Sequence, residues 1–97
     1  MGNERILIVD DSQEILSNLS EYLTESGYDV DTSTDGATGI SMLESRFYDV
    51  IFIDLRMPGV DGMEVLKHAK ENSPDSLCII LTGYGTIKNA VEAIKSG

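Results

Sequence analysis

The sequence predicts a three-layer α/β sandwich, with helices covering both faces of one parallel β-sheet, and three observations carry that prediction. Two short runs rich in β-branched residues, Ile6-Leu7-Ile8-Val9 and Val50-Ile51-Phe52-Ile53, show no polar alternation, as expected of strands buried on both faces. Strand-like and helix-like segments alternate four times along 97 residues without a linker or low-complexity stretch. Helices that join consecutive strands as right-handed crossovers generate a parallel sheet.

After the first strand, Ser12 is placed to cap a helix whose apolar residues Ile15, Leu16, Leu19 and Leu23 share one face, and Gly27 offers its left-handed stop. A weaker strand over 28–33 follows, and the alternation Asp29-Val30-Asp31 suits a sheet edge. The next helix spans 36–45, with Ala37, Ile40 and Leu43 as its apolar positions. The third strand, 49–54, runs into a Pro- and Gly-marked loop, Leu55 to Gly62. Asp61 is the expected N-cap of the third helix, with Glu64 three residues on and Met63, Leu66 and Ala69 as its buried stripe. Pro74 breaks the chain before a fourth strand, 77–82, and a last helix carries Ile87, Ala90, Val91 and Ile94 on one face. Leu77-Cys78-Ile79-Ile80-Leu81 is apolar on both faces and has no charge or proline to guard an edge, so it reads as an interior strand. The expectation is therefore a single domain over 1–97, incomplete at its C-terminal end because a fifth strand is missing.

Composition narrows the functional classes. Seventeen acidic against seven basic residues give a net charge of -10, which disfavours a direct nucleic-acid or anionic-membrane partner. The apolar run after Met1-Gly2-Asn3-Glu4-Arg5 is too short for a signal-peptide core or a membrane span. Cys78 is the one cysteine, so no internal disulfide forms; it is expected to be a buried small hydrophobe, and a cytoplasmic setting fits.

The chemistry concentrates at the carboxyl ends of the strands, where ligands bind in open parallel sheets. Asp10 and Asp11 close the first strand, Asp54 closes the third and Thr82 the fourth. Carboxylates brought together repel one another, and a hard divalent cation relieves that repulsion. Mg2+ takes one or two carboxylates and keeps several waters, so Asp11 and Asp54 are candidate direct ligands, with Asp10 holding a metal-bound water. Asp54, alone on a central strand, is also the better candidate for a nucleophile that accepts a phosphoryl group. The Thr82 hydroxyl and the Gly83 amide are placed to donate to phosphoryl oxygens.

Ile8-Val9-Asp10-Asp11, then Asp54-Leu55-Arg56-Met57-Pro58-Gly59-Val60-Asp61-Gly62, then Leu81-Thr82-Gly83-Tyr84-Gly85 resemble, in order and spacing, the receiver domain of bacterial two-component response regulators. The resemblance covers essentially the whole chain. It implies a flavodoxin-like sheet of order 2-1-3-4, four strands of the family's 2-1-3-4-5. It further implies that Asp54 is the phosphoacceptor and that Asp10 and Asp11 bind Mg2+ together with the Arg56 carbonyl, while Thr82 is the switch hydroxyl. A sensor histidine kinase is the implied donor, and the output domain lies outside this chain. The Thr-Gly-Tyr-Gly-Thr stretch is similar to nitrogen-regulation-type regulators that act with σ54 polymerase, which makes transcription the implied output. Such a domain catalyses at most its own phosphorylation and dephosphorylation. The family pattern continues with a strand ending in Lys-Pro, which has no counterpart here, and Lys88 is a poor substitute.

Two other functions are open to these residues. One is a Mg2+-dependent aspartyl phosphohydrolase, although Arg56 stands where such enzymes place an acid/base carboxylate. The other is a receiver fragment that cannot be phosphorylated and self-associates through its fourth strand. His68, between Lys67 and Lys70, is expected on a solvated helix face, and Met57 and Met63 in loop and core packing. Gly83-x-Gly85 lacks the third glycine of a dinucleotide loop, since Lys88 stands in its place.

Overall fold

The computed structural model describes residues 4–54 and 62–81, in which four strands alternate with three helices. These are β1 (Arg5–Val9), α1 (Gln13–Glu25), β2 (Asp29–Ser33), α2 (Gly36–Ser45), β3 (Val50–Asp54), α3 (Gly62–Asn72) and β4 (Leu77–Leu81). The strands form one parallel sheet in the order β2-β1-β3-β4. The expected last helix and the Pro-Gly loop, with Asp61, Arg56, Met57, Thr82, Gly83 and Lys88, lie outside the described residues.

Why β1 and β3 occupy the middle follows from their side chains. Ile6, Leu7, Ile8 and Val9 are all fully buried, as are Ile51, Phe52 and Ile53, so both faces of both strands need cover. Ile6, Ile8, Val50 and Phe52 pack with Leu16, Leu19 and Leu23 of α1 on one face. Leu7, Val9, Ile51 and Ile53 pack with Leu43 of α2 and with Val65 and Ala69 of α3 on the other. Burying each such aliphatic side chain stabilises the fold by about 2 kcal/mol. The acidic strand β2 takes the edge, as its Asp29-Val30-Asp31 alternation predicts, and there its carboxylates reach water or cations.

Helix ends follow local chemistry. Ser12 caps α1, its side chain accepting from the Ile15 amide, and Asp35 caps α2 by accepting from Thr38. At the far end of α1, Gly27 adopts φ 101°. Its amide bonds the Thr24 carbonyl and the Tyr28 amide bonds that of Leu23, a Schellman closure, so β2 starts at Asp29 rather than Tyr28.

Four expectations about packing are corrected. Met63 is 55% exposed, because α3 turns Gly62, Val65 and Ala69 inward and leaves Leu66 on the flank. Ala37 is exposed, and α2 instead buries Gly36, Gly39 and Leu43. Gly39 serves close packing, since a Cβ there would stand 3.0 Å from Val9 Cγ2. Cys78 is half-buried, and burial pushes its thiol pKa up. His68 is half-buried rather than solvated, and its buried Nδ1 has no hydrogen-bond partner among the described residues.

Candidate metal centre

The register of the central strands builds the site. β1 and β3 pair in parallel with Val9 opposite Ile53, so the next residue of each, Asp10 and Asp54, emerges at the same carboxyl edge. Asp11 follows directly, where the chain leaves the sheet for α1. One carboxylate oxygen from each of Asp10, Asp11 and Asp54 lies within 4.8 Å of the others. Asp10 is 1% exposed, Asp54 half-buried and Asp11 exposed, which grades the site from a buried floor to an open mouth.

Asp10 is fixed by its neighbours on two sides. Its amide donates to the Ser33 carbonyl at 3.0 Å, one step beyond the β1–β2 ladder. Its Oδ1 accepts from the Ser12 amide at 2.8 Å. Burial is the largest influence on its carboxyl and pushes the pKa up, opposed by the Ser12 hydrogen bond. The charges of Asp54 and Asp11 and a side-chain hydrogen bond with Asp54 push the same way as burial. The site is thus electrostatically unfavourable as a set of bare anions. Three hard oxygen donors around one point suit a hard divalent ion such as Mg2+.

All three carboxylates expected at the site are brought together, whereas Arg56, Thr82 and Gly83 fall outside the described residues. Ser12 is more than the helix cap its sequence position predicts, since its amide also bonds Asp10. Ser33, a buried strand-end residue without a sequence signal of its own, anchors Asp10 through its carbonyl. A hydroxyl residue directly after paired aspartates is a signal for the first; the second depends on register and leaves no local trace.

Comparison with known proteins identifies the family that carries this fold and acidic edge. The family model described as response regulator receiver domain matches residues 6–97, and the chain belongs to that family. It is 40% identical over 93 residues to the transcriptional regulatory protein QseB of Haemophilus influenzae, covering 96% of this chain and 42% of that protein. With the luminescence regulatory protein LuxO of Vibrio campbellii it shares 37% identity, over 93% of this chain and 20% of that protein. The chain therefore spans less than half of these relatives. Among solved structures, a CheY-like receiver domain protein from Methanospirillum hungatei superposes with a TM-score of 0.81 at 32% identity, covering 98% of this chain and 76% of that one. The response regulator TrrA of Thermotoga maritima, solved in complex with Mg(2+)-BeF, matches with a TM-score of 0.77 at 34% identity, covering 94% and 79%. In complex with the histidine kinase ThkA, the match is 0.81 at 28% identity, covering 96% and 97%. None of the described helices is long and apolar enough to cross a membrane.

Proposed function

We propose that this receiver domain accepts a phosphoryl group on Asp54 from a sensor histidine kinase, in the presence of Mg2+, and so switches an output carried elsewhere. The observation that carries the proposal is the convergence of Asp10, Asp11 and Asp54 within 4.8 Å at the carboxyl edge of the sheet. Asp11 and Asp54 would hold Mg2+ directly and Asp10 through a water, with the Arg56 carbonyl as a further ligand. Bound there, the ion would neutralise charge on the incoming phosphoryl group.

The chain's own residues do the rest. An Asp54 oxygen attacks phosphorus in line with the donor nitrogen; the new O–P bond forms as the P–N bond breaks, and the departing imidazole nitrogen takes up a proton. β3 holds Asp54 still, so much of the rate comes from positioning. Thr82 and Gly83 are the proposed donors to the phosphoryl oxygens, and movement of Thr82 onto the new phosphoryl group is the proposed switch. TrrA, with its Mg(2+)-BeF complex and its kinase complex, supports the metal and the donor, and the name of QseB supports transcription as the output. A cytoplasmic location fits each of these.

The test is incubation with a small-molecule phosphodonor and Mg2+ followed by intact mass measurement. One acid-stable, base-labile phosphoryl adduct is expected, lost in Asp54→Ala; no adduct in the wild type, or an undiminished one in the variant, overturns the proposal.

A further inference from the structure

We propose that Ser12 is a positioning residue of the metal centre: its hydroxyl closes the first turn of α1 and thereby holds the backbone amide that orients the Asp10 carboxylate. This inference rests on the Mg2+ reading above and deepens it. Ser12 both caps α1 and bonds the Asp10 side chain. Its Oγ accepts from the Ile15 amide at 3.3 Å and its carbonyl from the Leu16 amide at 3.0 Å. Its backbone, at φ -90° and ψ 112°, then points its own amide at Asp10 Oδ1, 2.8 Å away.

The division of labour is visible in the hydrogen bonds. Asp10's main chain is anchored independently, by its amide on the Ser33 carbonyl at 3.0 Å. The strand therefore sets where Asp10 stands, and Ser12 sets how its carboxylate is turned. With Oδ1 engaged by the amide, the rotation of the carboxylate is fixed. Removing the hydroxyl leaves the Ile15 amide without its cap, loosens the backbone at Ser12 and lets the Asp10 carboxylate rotate away from that orientation. The coupling is reciprocal: a metal that fixes Asp10 must also tighten the first turn of α1.

The experiment is a calorimetric Mg2+ titration at fixed pH and ionic strength of the wild type, Ser12→Ala, Ser12→Thr and Asp35→Ala. Asp35 caps α2 and makes no bond to Asp10 among the described residues, and its bonds to Ser33 Oγ run through its backbone and survive the substitution, so it serves as the cap-loss control. Ser12→Ala is expected to weaken Mg2+ binding about ten-fold, the low end for a group that orients a metal ligand. Ser12→Thr keeps the cap and stays within about two-fold of wild type, as does Asp35→Ala, although the latter also lowers the thermal midpoint. Wild-type affinity in Ser12→Ala, or an equal loss in Asp35→Ala, overturns the positioning role. A wild type that binds no Mg2+ overturns the metal reading itself. Amide exchange keeps the test independent of variant folding: exchange at Ile15 in the wild type slows several-fold on adding Mg2+, and unchanged exchange overturns the inference.

Discussion

The Tyr48 phenol donates a 2.7 Å hydrogen bond to Asp31 Oδ2, joining the segment before β3 to the edge strand β2. The same oxygen accepts from Arg46 Nη1 at 3.1 Å. Tyr48 is fully buried although it precedes a strand, because its ring fills the core between the sheet and α2 while its hydroxyl needs a partner. Asp31 is that partner, which explains an acid at this point of an edge strand.

Removing the phenol hydroxyl should therefore cost more than removing the surface cation. Tyr48→Phe is expected to lower unfolding free energy by about 1–2 kcal/mol in urea denaturation, and Arg46→Ala by less than about 0.5 kcal/mol, since its guanidinium is half in water. Burial first, and then Asp31, push the phenol well above its ordinary pKa. A raised folded-state value gives stability that is complete below the ordinary value of 10.0 and is lost as pH rises toward the raised one. The gap between wild type and Tyr48→Phe should hold constant at lower pH and narrow above about pH 10.

At Gly39 the close approach of α2 to β1 makes a steric prediction. Alanine already meets Val9 Cγ2 at 3.0 Å, and Val9 is fully buried. Gly39→Val adds two methyls there and a β-branched side chain in a helix, so a loss of about 2–3 kcal/mol is expected. The measurement is the denaturation midpoint with unchanged slope.

Asp10 gives a prediction with the opposite sign to an ordinary core polar residue. Its folded-state pKa lies above the ordinary 3.8, so the carboxylate destabilises the metal-free fold at neutral pH, and protonation relieves that as pH falls through the raised value. Asp10→Asn should stabilise the metal-free protein at neutral pH, with the gap closing as pH falls through the raised value, while Mg2+ affinity drops at least about ten-fold. Urea denaturation across pH, with chelator and with Mg2+, separates the two effects.

The strands and the site acids were legible because their signals are local: four apolar β-branched residues mark a double-faced strand, and an aspartate at its end marks the carboxyl edge. The capping hydroxyl of Ser12 and the stop at Gly27 were legible for the same reason. Met63, Ala37 and His68 were misplaced because three- and four-residue spacing gives a helix its period but not which of two flanking stripes meets the sheet. The Tyr48–Asp31–Arg46 cluster and the Ser33 anchor on Asp10 join residues from separate elements, and only the sheet register brings them together.

The most direct test of the central claim is the urea stability of the wild type with and without Mg2+ at about ten times its calorimetrically measured dissociation constant, against NaCl of equal ionic strength. Linkage predicts a gain of about 1.4 kcal/mol from an ion that binds only the folded state, and none in Asp11→Asn/Asp54→Asn. Equal stability in Mg2+ and NaCl, or the same gain in the double variant, would contradict a metal centre at Asp10, Asp11 and Asp54.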